Sequence, residues 1–280
     1  GVDALWIFLR GRTFVFEQRL FMNSIDDFVR RIARKVLPTR LRETIRASLA
    51  RSALPKPILY PSVDTVRNLE LKDKFSEVYA KNIFGGSDSL SGAGSDLLQT
   101  EVIRHEIPRV LRENGVSSML DAPCGDWFWM RKVDLGIDRY IGVDIVDALI
   151  TKNQIEFGRK GVEFRCLDLS KDTLPKVDLI FSRDCLVHLS FRDAARILQN
   201  FKTSGARFLL TTTFTKRAAN VDLDHGFWRP LNMEMAPFNF PQPIEVINEK
   251  CTEGANQFAD KSLGLWRLDS ITVNEKYLCA

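Results

Sequence analysis

From residue 97 onward, short apolar runs alternate with stretches whose apolar residues recur at helical spacing. Met119-Leu120, Tyr140 to Val143, Val162 to Cys166, 177–182 and 207–213 read as strands, the first short and apolar and the fourth apolar almost throughout. A run with that composition is buried on both faces. Between them the spacing predicts helices over 97–114, with Gly115 as the cap, and over 148–157 and 192–202. Strand and helix in alternation imply an α/β domain, a parallel sheet with helices on both faces. Two late runs, 244–247 and 263–268, have no helix between them and suit an antiparallel pair. No internal repeat is present.

The chemistry-bearing residues sit where these runs end. The first run leads into Asp121-Ala122-Pro123-Cys124-Gly125-Asp126-Trp127, the second ends on Asp144, and the third leads to Asp168. Ligands of open α/β sheets bind at the carboxyl ends of the strands. An acid about twenty residues after the first turn is suited to hold ribose hydroxyls. Three acids in consecutive units are harder to ascribe to the general preference of acids for strand ends than one would be.

At these residues the chain resembles class I S-adenosylmethionine-dependent methyltransferases. Leu120 to Gly125 is similar to their first motif and Gly142-Val143-Asp144 to their second. The family pattern is an acid followed by three alternating glycines. Here Pro123 and Trp127 stand in place of the first and third, and Asp121 and Gly125 are kept. The likeness covers about 116–268. It implies a Rossmann-like class I methyltransferase fold, a mostly parallel seven-stranded sheet closed by the antiparallel pair, with an N-terminal helical extension. It also implies S-adenosyl-L-methionine as cofactor, with Asp144 and Ile145 at the ribose and Asp168 and Leu169 at the adenine. Asp121, the turn Ala122-Pro123-Cys124-Gly125 and Arg183 would face the amino-acid end. Of Trp127, Phe128 and Trp129, core packing is the plainer role, and a ring facing the sulfonium the alternative.

In that family the segment after the fourth strand, Ser182 to Leu189, faces the transferable methyl. It lacks the Asn/Asp-Pro-Pro-aromatic signature of amino-directed methylation, and Cys185 has no preceding proline. His188 is the candidate general base, with Asp184 or Arg183 setting its tautomer. The alternative is a histidine that buttresses the helix. His225 is the next candidate, and Trp228 with Arg229 would contact the acceptor. Asp222 and Asp224 do not complete a hard-ion site, so no metal is expected. The expected function is O-methylation of a small-molecule or glycan acceptor. Its competitors are an RNA methyltransferase using a basic N-terminal region and a non-catalytic scaffold. A nicotinamide dehydrogenase is disfavoured because G-x-G-x-x-G is missing after the first strand.

Upstream, residues 1–60 read as a basic helical extension. Ile25, Phe28, Val29, Ile32 and Val36 follow helical spacing, with Arg30, Arg31, Arg34 and Lys35 on other faces, and Leu41, Ile45 and Leu49 repeat it after Pro38. These sixty residues hold 12 Lys+Arg against 5 Asp+Glu, whereas the whole chain carries only +4. The body is therefore mildly acidic, which argues against a broad nucleic-acid groove. The extension reads as a cap on the core or on a second copy, or as a peripheral contact with an anionic membrane surface. Residues 61–96 are a linker with an apolar-periodic stretch near 75–83 and a Gly/Ser-rich loop over 85–95. That loop reads either as a lid over the cofactor or as a solvated connection. Residues 97–270 form the methyltransferase-like domain and 271–280 a tail. Five cysteines, an odd number without a C-x-x-C pair, favour reduced thiols. No run spans a bilayer and the apolar start ends at Arg10 and Arg12 without a cleavage signal, so the expected location is the cytoplasm.

Overall fold

The computed structural model of the protein describes residues 69–86, 88–223 and 228–278. The basic helices expected in 1–60, residues 61–68 of the linker, Asp224 and His225 lie outside the described residues. Helix α1 (Leu71–Ala80) comes first, then α2 (Glu101–Glu113) and β1 (Ser118–Asp121). They are followed by β2 (Arg139–Asp144), α3 (Asp147–Phe157), β3 (Val162–Cys166), β4 (Leu179–Ser182), α4 (Phe191–Thr203), β5 (Phe208–Phe214), β6 (Glu245–Asn248) and β7 (Lys261–Arg267).

The strands form one seven-stranded sheet in the order β3-β2-β1-β4-β5-β7-β6. The first five are parallel, and β7 runs antiparallel to both β5 and β6. The expected parallel sheet and its closing antiparallel pair are both present. Because side chains alternate across a strand, the sheet has two apolar faces. Leu120, Ile141, Val143, Ile180 and Leu209 pack with α4 through Ala194, Ile197, Leu198 and Phe201. Met119, Tyr140, Phe164, Leu179 and Leu210 pack on the other face with Ile103, Ile107, Val110 and Leu111 of α2 and Leu149 and Ile150 of α3. The i, i+4, i+7, i+8 spacing of the α2 residues is what lets one helix stripe cover that face.

Several boundaries differ from the sequence expectation, each for a local reason. Helix α2 begins at Glu101, not 97, because 97–100 form a turn in which Thr100 Oγ1 donates to the Asp96 carbonyl at 3.0 Å. It ends at Glu113, and Gly115 just beyond has a φ of +57° that lets Val116 N–H reach the Leu111 carbonyl and Gly115 N–H the Arg112 carbonyl. Strand β4 starts at Leu179, not 177, because the Asp178 carboxylate accepts from the N–H and hydroxyl of both Ser117 and Ser118 and ties the strand start to β1. Helix α4 is capped by Ser190, whose hydroxyl accepts from Asp193 N–H. Among the described residues no helix is long and apolar enough to cross a membrane.

Candidate active site

The carboxyl ends of β1, β2 and β4, the chain just past β3, α1 and the loop before α2 enclose a cavity of about 180 Å³. The sheet supplies its floor. Asp121 and Asp144 are the last residues of β1 and β2, Asp168 follows β3, and Arg183 and Asp184 follow β4. Helix α1 supplies Leu71, Phe75, Val78 and Tyr79 to the wall, and the following loop supplies Phe84, Leu90, Ser91 and Ser95.

The turn after β1 is built for close approach. Gly125 has φ +53°, and a Cβ there would lie 2.2 Å from Ser91 Oγ. Its N–H donates to Asp144 Oδ2 at 3.2 Å, while Val146 N–H donates to Asp144 Oδ1 at 3.1 Å. Asp144 is thus a buried carboxylate held at the cavity edge by backbone donors. Burial pushes its pKa up to about 6, against the lowering effect of those donors. Asp121 is buried more deeply, and burial pushes its pKa up to about 8. It accepts a 2.5 Å bond from the Tyr140 hydroxyl and is protonated at neutral pH. Asp168 receives the N–H and hydroxyl of Ser170 at 2.9 and 2.6 Å and pairs with Lys171 at 3.4 Å. Leu169, Ile145 and Pro123 also line the cavity, and Ala122 lies fully buried beneath the turn. The Cys124 and Cys185 thiols are held protonated by burial, Cys185 at about 12, so neither serves as a nucleophile at neutral pH.

The loop over 85–95 is tied to this turn. Ser89 Oγ and Leu90 N–H donate to the two oxygens of Asp126 at 2.8 and 2.9 Å, and Asp126 N–H donates to Ser91 Oγ at 3.2 Å. Of the three aromatic residues in the turn, Trp127 lies in the core against Tyr140, Phe157 and Phe164. Trp129 lines the cavity, with Phe181 at 6.0 Å and the Arg183 guanidinium 5.8 Å from its ring.

At the tip of β4, Asp184 pairs with Lys261 at 2.5 Å and with Arg183 at 3.3 Å, and it also lies within electrostatic reach of His188. Burial opposes its ionisation, but Lys261 and Arg183 outweigh it and hold Asp184 down to about 2. Arg183 is buried, with Nη2 donating to Glu249 Oε2 at 2.7 Å and to the Gly94 carbonyl at 2.9 Å. Glu249 follows β6 and Lys261 opens β7, so the quartet forms only because β6 and β7 close the sheet. Neither residue carries a local sequence signal, and both escaped the sequence reading. His188 ends the 3₁₀ turn Leu186–His188 and lines the cavity. Its ring stacks on Phe84 with centroids 4.6 Å apart and planes at 27°.

The two residues expected to contact an acceptor lie elsewhere. Arg229 is 1% exposed and does not line the cavity. Its guanidinium donates to the carbonyls of Leu186 and Leu189 at 2.6 Å each and of Val221 at 3.1 Å. Trp228 packs edge-on against Phe214 and Phe258, with centroids at 5.6 and 4.7 Å, and does not line the cavity either. An aromatic beside a guanidinium looks like a recognition pair in sequence. Here the ring fills core space, and the guanidinium donates to the carbonyls of Leu189 and Val221 and, beside Leu189 N–H, to that of Leu186.

The sheet order, the antiparallel β7 and the cavity over the ends of β1 and β2 define the class I methyltransferase fold. Among solved structures, the chain is similar to the 1,6-didemethyltoxoflavin-N1-methyltransferase of Burkholderia thailandensis, crystallised with 1,6-didemethyltoxoflavin and S-adenosylhomocysteine. The TM-score is 0.50 at 15% identity, over 76% of this chain and 92% of that one. The N-methyltransferase NodS of Bradyrhizobium japonicum with S-adenosyl-L-homocysteine gives a TM-score of 0.48 at 16% identity, over 68% and 97%. No family model matches the chain, and no curated protein matches it.

Proposed function

We propose that the protein is an S-adenosylmethionine-dependent methyltransferase that methylates an oxygen of a small-molecule or glycan-type acceptor. The observation that carries this reading is Asp144, a buried carboxylate on the cavity edge, braced by the N–H groups of Gly125 and Val146. A carboxylate offers about four lone-pair sites, so capacity remains for two ribose hydroxyls. Asp168 and Leu169 line the same cavity one strand further out, where an adenine would follow the ribose. The acid-rich lining suits a cofactor that carries both a sulfonium and an ammonium.

When bound, the cofactor supplies an electrophilic methyl group. The chain's part is to align an acceptor oxygen with it and to take up the acceptor's proton. Held there, S-adenosylmethionine would supply the methyl group and keep the electron pair of its carbon–sulfur bond, and His188 would take up the acceptor's proton and pass it to water. Stacking on Phe84 fixes the plane of the imidazole. Asp126 holds the loop over the cavity, which favours the lid reading of 85–95.

The test is calorimetric titration with S-adenosylhomocysteine. Charge-assisted bonds are worth roughly 1.5–3 kcal/mol each, so Asp144→Ala is expected to weaken binding at least tenfold while the protein stays folded. Unchanged affinity in a folded variant would remove the cofactor site from this cavity.

A further inference from the structure

We infer that the acceptor is a flat, uncharged aromatic hydroxyl compound, an inference that rests on the methyltransferase reading above and narrows it. Two features of the β4 end of the cavity carry it. The first is how its charges are spent. Among the described residues, Arg183 is the only Lys or Arg lining the cavity. Its guanidinium is engaged by Glu249, Asp184 and the Gly94 carbonyl. The other charged lining groups are carboxylates: Asp126, Asp144, Asp168 and Asp184, with Asp121 protonated by burial. A phosphate, sulfate or carboxylate on the acceptor would meet these acids. It would also have to compete with buried Glu249 for Arg183, and separating a buried pair costs more than an exposed one returns.

The second feature is the shape of the walls around His188. Phe84 covers one face of the imidazole in a near-parallel stack, and Trp129 lines the same cavity against Phe181 and Arg183. An acceptor that brings its oxygen to the imidazole has the Phe84 and Trp129 rings among the walls it can lie against. Aromatic faces reward a flat ring. A sugar would in addition need several polar forks for its hydroxyls, and an unmatched hydroxyl in such a site is penalised. Among the described residues no Asn or Gln lines the cavity, its neutral hydroxyls are those of Tyr79, Ser91 and Ser95, with Ser91 bonded to Asp126, and the Asp126 and Asp184 carboxylates are already bonded to the loop and to Lys261. So sparse a set of polar forks beside two aromatic walls favours a neutral aromatic acceptor, with a hydroxyl for His188 to deprotonate.

The experiment has two stages on the full chain. S-adenosylhomocysteine is titrated first. The saturated protein is then titrated with 7-hydroxycoumarin, methyl α-glucoside and glucose 6-phosphate. The expected result is that the coumarin binds at least tenfold more tightly than either sugar. Phe84→Leu should weaken the coumarin at least fivefold and leave S-adenosylhomocysteine affinity within twofold, while Phe84→Tyr keeps both. A sugar or sugar phosphate that binds as well as the coumarin, no coumarin binding at all, or a folded Phe84→Leu with unchanged coumarin affinity overturns the inference and leaves the methyltransferase reading standing. A wild-type protein that does not take up S-adenosylhomocysteine overturns both. If Phe84→Leu fails to fold, the ranking of the three probes on wild type decides.

Discussion

Arg229→Lys separates a structural clamp from a substrate contact. The change keeps the positive charge and most of the stem, so at a surface contact it would be mild. In the cavity-free position that Arg229 occupies it is severe. Its three guanidinium nitrogens reach three carbonyls, those of Leu186, Leu189 and Val221, in one planar fork, and its own N–H donates to Val187 at 3.1 Å. Burial lowers its pKa to about 9, with Asp222 opposing, so the group is still charged at neutral pH. A lysine ammonium is a point donor on a flexible stem and cannot reproduce that fork. The Leu186 carbonyl also accepts from Leu189 N–H at 3.3 Å, so a lysine that reaches one of the other two carbonyls leaves one without a partner. An orphaned buried carbonyl costs about 1–3 kcal/mol, and the burial penalty of the charge is not relieved. The expected loss is therefore about 1–3 kcal/mol of stability.

Urea unfolding followed by near-ultraviolet circular dichroism reads this directly. With a slope of about 2 kcal/mol/M, the midpoint is expected to fall by about 0.5–1.5 M. Leu186 and Leu189 bracket His188, so turnover should fall as well, with S-adenosylhomocysteine affinity little changed. A variant with an unmoved urea midpoint and a raised KM for the acceptor would refute the clamp and return Arg229 to the substrate.

Two further outcomes follow from the site. The folded-state pKa of Asp121 is raised, so its contribution to stability is full below the unfolded carboxyl pKa and is lost as pH rises through about 8. Asp121→Asn keeps an acceptor for the Tyr140 hydroxyl and should flatten that part of the stability–pH curve, and an unaltered slope in urea titrations from pH 4 to 9 would show that Asp121 is ionised at neutrality. His188→Ala should lower turnover about 10²-fold or more with S-adenosylhomocysteine affinity nearly intact. Retained specific activity with lost stability would make His188 a buttress.

What was legible in the sequence is what depends on neighbours along the chain. The first three parallel strands each lead into an acid, the first with a glycine turn behind it, so Asp121, Gly125, Asp144 and Asp168 could be placed at one sheet edge before any pairing was known. Helix stripes such as Ile103, Ile107 and Val110 were legible for the same reason. Less legible were boundaries set by a side chain from elsewhere, as at Asp178 and at the Thr100 turn. The Asp121–Tyr140 bond depends on register. Met119 lies opposite Tyr140, so Tyr140 shares a sheet face with Asp121, and no local pattern announces that pairing.

The β4 tip carries this argument furthest. Arg183-Asp184 beside His188 reads locally as a catalytic cluster, because every chemically active residue there lies within six positions. The sheet order changes that meaning. With β7 between β5 and β6, Glu249 and Lys261 arrive 66 and 77 positions after the residues they pair with. Four charges of alternating sign then share one buried site. Such a site is costly unless every member is paired, so the quartet binds the loop at Gly94, the β4 tip and the sheet's closing hairpin into one unit. Its charges are spent on the fold. His188 and Cys185 line the cavity at that tip outside the quartet, and burial holds the Cys185 thiol protonated, so the proposed base role rests on the imidazole.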